Sequence, residues 1–493
     1  MSRTKISGAI AAVSALALLA ACTPSSSDPS DTREDSTSAE VSPAPEFRIG
    51  TVADSAASEA DDSAEADGSE ASASPTATGS SVGETVQTGA DIDVDSGKRL
   101  VLSVDGAVLK DVSLVDPDHP RIAVDPGTFV DAAGTELESE GDPTAGGLTS
   151  PEDTDAPSPS ATSAPESSES PSTASAPNDA DTVTAPDSAA GWTSDFDLVA
   201  DSTYEVSATA TTPDGKDHDF EATATVAAAD GEPMTMRTVL SDDQTVGVAA
   251  PIVLTFGSTV AKEYRDDVEH RLSVDVTDED GKKREVEGSW AWLPNDPESR
   301  LHFRPKEYWP AYSKVSVDAP VKNVPMADGR IGANDLTLDF EIGREQVTEA
   351  SAKTHRMTVT RDGKEVMDFP TSLGSAKAPS YNGTHVVMSK HANYTMTSAR
   401  WGYTTPVQWA VRIHNNGEFV HAAPWSAGVQ GSQNVSHGCI NLTTQRAKEY
   451  YDSAIYGDPV IIKDSSVDLS TEDSDISDWV YSWDEWKKLS ALS

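Results

Sequence analysis

The sequence predicts a mainly β protein: two β-sandwiches in tandem, a further β-rich domain with one short helix, and a C-terminal helical tail. Short stretches of alternating apolar residues, separated by Gly, Pro and Asp turn residues, recur from Val86 to Lys463. A hydrophobic content of 37% and 30 prolines in 493 residues indicate that part of the chain does not fold. The folded mass is therefore smaller than the length suggests.

The N-terminus is typical of a secretory signal peptide, which we assign to residues 1–21. Arg3 and Lys5 precede an apolar run that is too short to span a bilayer comfortably, and small residues follow it. The ending Leu-Ala-Ala-Cys resembles a bacterial lipobox, which implies cleavage before Cys22 and a diacylglycerol on its thiol. An ordinary signal peptide with a cysteine near the cleavage site is the alternative.

Two acidic Ser/Ala/Pro stretches are predicted to be disordered because they lack the large apolar residues needed to offset ordering entropy. Residues 22–84 form a tether, and residues from about 138 to 190 form an insertion within the first sandwich, which spans 85–232. A plain linker between two units is the alternative for the insertion. Hairpins are expected at Asp105-Gly106 and at Pro213-Asp214-Gly215.

Residues 233–345 repeat the all-β pattern with several short alternating strands. Such strands at regular spacing favour an immunoglobulin-like sandwich for this domain and for the one before it. Its aromatic residues could line a glycan-binding surface, but aromatic residues on strands are more often core, and we expect core packing. These residues are Trp290, Trp292, Tyr308 and Trp309.

The charge and the cysteine content limit the function classes. Asp and Glu total 82 against 36 Lys and Arg, a formal net charge of -46, which would repel a phosphate backbone and excludes nucleic acid as a partner. The two cysteines are Cys22 and Cys439. Because Cys22 is predicted to be acylated, no intrachain disulfide is expected, and Cys439 indicates chemistry.

The region around Cys439 contains the elements of nucleophilic catalysis. A cysteine nucleophile needs a base and donors for an oxyanion, and His421 or His437 could be the base. Gly438 lets backbone N–H groups approach a substrate oxygen. A buried, inert thiol is one alternative, and a zinc site with His414 as fourth ligand is another. Spacing alone leaves these open.

The stretch "HAAPWSAGVQGSQNVSHGCIN" resembles the signature of the L,D-transpeptidase (YkuD) catalytic domain: a histidine, a gap of about fifteen residues, then [S/T]-H-G-C-x-N. Here residues 422–435 separate His421 from an unbroken S-H-G-C-I-N. The resemblance places the catalytic domain at 346–463 and a docking tail at 464–493. The order of lipobox, tandem immunoglobulin-like domains and catalytic domain resembles the mycobacterial and corynebacterial type.

The resemblance implies roles for individual residues. Cys439 would be the nucleophile, His421 the base, and the backbone of His437, Gly438 and Cys439 the oxyanion hole. Substrate-binding positions would be Tyr403, Met396 on a mobile lid, Ser436, Asn441 and Trp425. One departure is Ala422, where the relatives have Ser after the catalytic histidine; the change is harmless if that residue orients the imidazole through its backbone carbonyl.

The implied activity is cross-linking of third-position residues of peptidoglycan stem peptides through a cysteine thioester, with release of D-Ala. An L,D-carboxypeptidase on the same residues and a non-catalytic wall-binding lipoprotein are the alternatives. The resemblance implies no cofactor or metal, a monomer, acylation by carbapenems, and a lipid anchor on the extracytoplasmic membrane face with reach into the wall. We expect an imidazolium of His421 to lower the pKa of Cys439.

Two helices complete the prediction. Thr443 or Thr444 can cap a helix that ends at Gly457. In the tail, Trp479, Trp483 and Trp486 have the spacing of one helix face, which predicts an element that docks on the sandwich and the catalytic domain.

Overall fold

The structure is a computed structural model that describes residues 43–52, 83–138, 182–294, 299–472 and 474–493. All of these belong to one compact unit, Pro43–Ser493. The predicted signal peptide, Cys22, and most of the tether and of the acidic insertion lie outside the described residues. Among the described residues, no helix has the length and apolar character needed to cross a bilayer.

The first sandwich consists of two facing sheets. Its described strands are β1 (Glu46–Val52), β2 (Glu84–Val86), β3 (Ala90–Val94), β4 (Arg99–Asp105), β5 (Val108–Val115), β6 (Thr128–Asp131), β7 (Glu136–Leu137), β8 (Val183–Thr184), β9 (Ala189–Thr193), β10 (Thr203–Thr211) and β11 (Asp217–Val226). The sheet orders are β2-β1-β4-β9-β6-β7 and β3-β11-β10-β5-β8. Alternate residues of both sheets meet in a core that includes Trp192 and Phe220.

Two predictions for this domain are wrong. Glu46–Val52 was assigned to the tether, but it forms β1 and pairs with β4 along its whole length. The hairpin at Asp105-Gly106 does not exist, because β4 and β5 lie in opposite sheets. Both errors have one cause: β1 occupies the place beside β4 that the prediction gave to β5. The strands β8 and β9 also show that the insertion ends before Val183. The β10–β11 hairpin is confirmed.

The second sandwich has the predicted alternating strands. They are β12 (Glu232–Met234), β13 (Met236–Thr238), β14 (Thr245–Val246), β15 (Ile252–Phe256), β16 (Ser273–Thr277), β17 (Gly288–Trp292), β18 (Arg300–Pro305), β19 (Lys314–Ala319), β20 (Pro325–Ala327), β21 (Arg330–Gly332) and β22 (Leu336–Ile342). A 3-10 helix (Lys262–Tyr264) runs into α1 (Arg265–His270). The aromatic residues expected in the core pack there, since Trp290, Trp292 and Trp309 are buried and Tyr308 is half-buried against them.

The third domain contains two sheets and one longer helix. Its described strands are β23 (Gln346–Ser351), β24 (Arg356–Arg361), β25 (Lys364–Pro370), β26 (Tyr381–Val386), β27 (Ser389–Ser398), β28 (Tyr403–Arg412), β29 (Phe419–Ala422), β30 (Ile440–Leu442), β31 (Pro459–Lys463) and β32 (Val467–Asp468). The sheet orders are β25-β24-β23-β31-β26-β32 and β27-β28-β29-β30. The second sheet positions the site. A 3-10 helix (Pro424–Ser426) follows β29.

The helix α2 (Thr444–Ser453) starts at Thr443, whose hydroxyl accepts a hydrogen bond from the backbone N–H of Arg446. The predicted N-cap is therefore confirmed, whereas the helix ends at Ser453 and not at Gly457. Ala447 and Tyr450 face the core, so α2 covers the inner side of the sheet that contains the site. The helix α2 thus packs against β28 and β29 on the core side of this sheet.

The C-terminal tail docks as predicted but is not one helix. Its helical part consists of a 3-10 helix (Asp478–Val480) and α3 (Trp483–Lys487), whereas Val467–Asp468 in the predicted tail forms β32 and pairs with β26 of the third domain. The Arg304 guanidinium lies 4.7 Å from the ring centre of Trp479, 5.2 Å from that of Trp483 and 5.0 Å from that of Trp486. Trp486 is fully buried against the second sandwich, and Trp479 packs in a cluster with residues of the third domain. The tail thus joins these two domains.

Candidate active site

The loop before β30 holds Cys439 in a fixed backbone conformation. The Ser436 hydroxyl donates to the Cys439 carbonyl at 2.6 Å, and the Gly438 N–H donates to the Ser436 oxygen at 3.2 Å. The Ser380 hydroxyl donates to the Gly438 carbonyl. Gly438 has φ +119°, and a Cβ there would lie 2.9 Å from Oε1 of Glu418. Glycine is therefore required at this position.

Two neighbouring strands bring His421 and Cys439 to the same end of the sheet. The strands β29 and β30 run parallel, with Val420 opposite Ile440 and His421 opposite Asn441. Cys439 immediately precedes β30. Because side chains alternate along a strand, His421 projects to one face of β29, while Val420 and Ala422 project into the domain core.

A backbone carbonyl fixes the ring of His421. Its Nδ1 lies 2.9 Å from the carbonyl oxygen of Ala422, which can only accept, so Nδ1 carries the proton and Nε2 is the basic nitrogen. Ala422 thus meets the condition under which its difference from the family pattern is harmless. His421 is buried, and this burial lowers its pKa to about 4. The imidazole is neutral at neutral pH.

The sulfur of Cys439 is covered in this conformation. Cys439 is 6% exposed, and its Sγ donates to the Gly417 carbonyl at 3.5 Å. Apolar side chains surround it, including those of Met396, Val407 and Phe419. Burial raises the pKa of Cys439 to about 12. The expected imidazolium and thiolate are therefore not the resting state, since both groups are neutral at pH 7.

All but one of the sequence-predicted catalytic and substrate-binding residues line one cavity. Its volume is about 380 Å³, and its walls are Met396, Tyr403, Thr405, Val407, His421, Trp425, Val435, Ser436, His437, Cys439 and Asn441. Gly438 is buried and is not part of this lining. Trp425 is 61% exposed, and its ring centre lies 6.1 Å from that of His421, so it forms part of the cavity mouth.

A second cavity of about 550 Å³ adjoins the first. Met396, Tyr403 and His437 line both cavities, and the hairpin of β27 and β28 therefore borders the two spaces. Gly417, whose carbonyl accepts the hydrogen bond from Cys439, lines the second cavity. The thiol thus lies at the wall between a cavity that His421 lines and a cavity that it does not.

Sequence reasoning missed two charged residues near the thiol that shift its pKa. Glu418 is buried next to Gly438, and burial raises its pKa to about 8. Its Oε1 accepts from the Tyr381 N–H at 3.3 Å. Glu418 raises the pKa of Cys439 further, whereas Arg412 lowers it. The cue available in the sequence was two charged residues, Arg412 and Glu418, shortly before His421, and such residues alone indicate no specific role.

The zinc alternative finds no support in the part of the chain that the structure describes. His414 does not join the cavity; its ring centre lies 5.6 Å from that of His385 and 5.8 Å from that of Tyr381. Across the described ranges, no group of three or more His, Cys, Asp or Glu side chains is arranged to hold a metal ion.

Comparison with protein families gives two matches. Residues 345–462 match the L,D-transpeptidase catalytic domain. Residues 173–325 match a bacterial Ig domain, a range that covers part of the first sandwich and most of the second. The catalytic match starts one residue before β23 and ends within β31, in agreement with the third domain of the structure.

Three curated relatives come from Mycobacterium tuberculosis. The chain is 47% identical to L,D-transpeptidase 5, over 51% of this chain and 55% of that protein. It is 33% identical to L,D-transpeptidase 1, over 44% of this chain and 79% of that protein. It is 31% identical to the probable L,D-transpeptidase 3, over 45% of this chain and 83% of that protein. Thus the chain spans only about half the length of the first of these relatives.

Among solved structures, an L,D-transpeptidase from Mycobacterium smegmatis is 31% identical to this chain. The superposition covers 47% of this chain and 100% of that one, with a TM-score of 0.38.

Proposed function

The chain belongs to the L,D-transpeptidase family, and from that premise we propose that it cross-links third-position residues of peptidoglycan stem peptides through a thioester on Cys439. One observation supports this most directly. Cys439 and His421 line the same cavity, and the Ala422 carbonyl leaves Nε2 of His421 as the basic nitrogen. Acyl transfer needs this pairing of a nucleophile with an unprotonated base.

In the first half-reaction, Sγ of Cys439 attacks the carbonyl carbon between the third residue and the D-Ala at position four. The S–H proton passes to Nε2 of His421, whose low pKa keeps it unprotonated beforehand. When the tetrahedral intermediate collapses, the C–N bond breaks and the imidazolium gives its proton to the leaving nitrogen. D-Ala departs as a free amine, and the acyl group remains on sulfur.

The oxyanion of that intermediate needs donors near the loop. The Gly438 N–H is already used by Ser436, so we assign the role to the Cys439 N–H, with the His437 N–H as the second donor. The Cys439 N–H already favours the charged form of its own sulfur. Tyr403 lines both cavities, and we propose that its hydroxyl adds a further donor. The family resemblance implied an oxyanion hole from the backbone of His437, Gly438 and Cys439; the present assignment leaves Gly438 out.

In the second half-reaction, the side-chain amine of a second stem attacks the thioester carbonyl. His421 removes a proton from this amine, the C–S bond breaks, and the sulfur takes the proton back. The product is an amide between two third-position residues, and the enzyme is regenerated with both groups neutral. Water in place of the amine would give a tripeptide, which is the L,D-carboxypeptidase reaction.

The test is incubation with a disaccharide-tetrapeptide, read by mass spectrometry. Wild type should yield cross-linked dimer and free D-Ala, and Cys439→Ala should yield neither. Tripeptide without dimer would assign the carboxypeptidase reaction instead. Binding of muropeptide with no product from wild type would leave only the wall-binding alternative and refute the enzyme.

A second assay needs no peptide substrate. We propose that carbapenems acylate Cys439, so intact-protein mass spectrometry should show one adduct on wild type and none on Cys439→Ala. Penicillins should react poorly. An absence of adduct on folded wild type would contradict an active site of this kind.

We also propose that a lipid on Cys22 anchors the chain to the extracytoplasmic face of the membrane and that it acts there as a monomer. The N-terminal pattern ending at Cys22 supports the anchor. Membrane fractionation of wild type and Cys22→Ala, with light scattering of the soluble variant, tests both statements. Equal release of the two proteins into the medium would contradict the anchor.

A further inference from the structure

The second cavity is the most cationic concave surface near the thiol. Lys377, Arg400 and Arg412 line it, in a protein with a net charge of -46. The remaining polar groups on its wall include Asn415 and Asn416. Such a concentration of one sign of charge in a cleft favours an anionic ligand.

Arg412 is the central cation of this cavity. Its Nη2 donates to the Tyr394 hydroxyl at 2.9 Å, and its guanidinium lies 4.3 Å from the ring centre of Phe419. A weaker contact of 3.5 Å joins Nη1 to the carbonyl of His414. None of these partners is charged. Within the described ranges, no carboxylate forms an ion pair with Arg412, Arg400 or Lys377, so their charge remains available to a ligand.

The acidic groups next to this cavity do not neutralise it. Glu418 is the acidic residue of its lining, and burial raises its pKa to about 8, so it is uncharged at pH 7. Asp475 accepts a hydrogen bond from Asn415 at the rim. It is already paired with Arg300 at 3.0 Å. The cavity therefore presents positive charge at neutral pH.

The position of this charge relative to the sulfur restricts the ligand. Cys439 lies at the wall between the two cavities, and Arg412 is close enough to influence the charge of its sulfur. In a donor tetrapeptide, three bonds separate the attacked carbonyl carbon from the carboxylate carbon of the fourth residue, at most about 4 Å. The nitrogen of this residue can face His421 while its carboxylate crosses toward Arg412.

We propose that Arg412, supported by Arg400 and Lys377, binds the terminal carboxylate of the donor stem peptide. The enzyme would thereby select donors whose leaving residue carries a free carboxylate. This inference rests on the proposed transpeptidation. Guanidinium groups match carboxylates through two parallel N–H donors, and such charged hydrogen bonds discriminate strongly against a neutral isostere. The site would select donors that end in a free acid.

The test compares three synthetic disaccharide-tetrapeptides by kcat/KM. One has a free C-terminus, one has a C-terminal amide, and one has a free C-terminus with the carboxyl of the third residue amidated. For wild type, the C-terminal amide should be roughly 10- to 100-fold poorer, the range expected for losing a charged hydrogen bond. Amidation of the third residue should leave kcat/KM within a few fold.

Variants assign this preference to the cavity. Arg412→Gln should reduce the acid-to-amide ratio to within a few fold of one, and Arg400→Gln should reduce it in part. Arg356→Gln is the matched control, because Arg356 pairs with Asp368 on the outer sheet, and its ratio should equal that of wild type. The ratio is internal to each variant, so a partial loss of folded enzyme does not alter it. If Arg412→Gln does not fold, Arg400→Gln decides.

Three results would overturn the inference. Wild type could use acid and amide equally, the arginine variants could keep the full preference, or the discrimination could follow the carboxyl of the third residue. Each leaves cross-linking itself intact, because the peptides are still turned over. A wild type that turns over none of the three peptides would instead contradict the proposed function on which the inference rests.

Discussion

The acid strength of Cys439 gives the sharpest prediction. With a pKa of about 12, the thiolate fraction at pH 7.5 is about 3 × 10⁻⁵, against about 0.1 for an ordinary cysteine. The more basic thiolate is also more nucleophilic, which recovers roughly 30-fold. Alkylation by iodoacetamide at pH 7.5 should therefore be about 10²-fold slower than that of free cysteine.

The pH dependence separates acid strength from simple steric cover. A neutral thiol of this pKa gives an alkylation rate that rises about tenfold per pH unit from pH 7 to 11 without a plateau. Steric cover lowers the whole curve but leaves its slope unchanged. A plateau beginning below pH 9 would refute the neutral resting pair and restore the imidazolium and thiolate that the sequence favoured.

Two variants complete this experiment. His421→Ala should abolish peptide turnover yet leave the alkylation profile within a few fold of wild type, because His421 is not among the groups that shift the pKa of Cys439. An ion pair predicts the opposite, a large loss of alkylation near neutral pH. Glu418 ionises above about pH 8 and then raises the pKa of Cys439, so Glu418→Gln should shift the alkaline part of the profile to lower pH.

Three further variants test the packing that positions the site. Gly438→Ala should reduce turnover by about 10²-fold or more, because φ +119° is strained for alanine and the new Cβ would lie 2.9 Å from Glu418. Near-normal turnover would contradict the claim that this position requires glycine. Arg344→Met removes the 2.6 Å hydrogen bond from Nη1 to Oδ1 of Asp458 and leaves that carboxyl buried without its partner. The free energy of unfolding, measured in urea, should therefore fall by about 3–5 kcal/mol. Adding Asp458→Asn should recover part of this loss. Trp486→Ala should lower stability by about 3–5 kcal/mol in the same assay, and a loss below 1 kcal/mol would contradict the docking of the tail.

Most of the strands could be predicted because alternation is a local pattern, whereas the cavity residues outside the motif, such as Tyr403 and Met396, came only from the family resemblance. Alternation identifies β10 and β11, and the motif places Ser436 to Asn441 on one loop and strand. The partner of β4 could not be predicted, because β1 is separated from it by residues 53–98 and is flanked by acidic, small residues. Strand pairing across such a distance has no local signal.

The protonation states of Cys439 and His421 could not be predicted from the sequence either. The motif contains Cys439 and His421, but the pKa of the thiol is determined by what covers it, and Met396 and Val407 come from a hairpin outside the motif. Glu418, just before β29, and Arg412, at the end of β28, shift the pKa of Cys439 in opposite directions. Two chains with the same motif can therefore differ in the acid strength of the nucleophile.

The proposed mechanism links the binding of a donor peptide to the activation of the Cys439 thiol. The apolar cover that raises the pKa of Cys439 also separates the two cavities, since Met396 and Tyr403 line both. On the proposed mechanism, a donor that reaches from His421 toward Arg412 would displace this cover, and its carbonyl would then replace hydrocarbon beside the sulfur. On the same proposal, the proton leaves sulfur only when an acceptor for the electrons is in place, so that Cys439 is a poorly reactive thiol at rest and becomes nucleophilic in the complex with its donor.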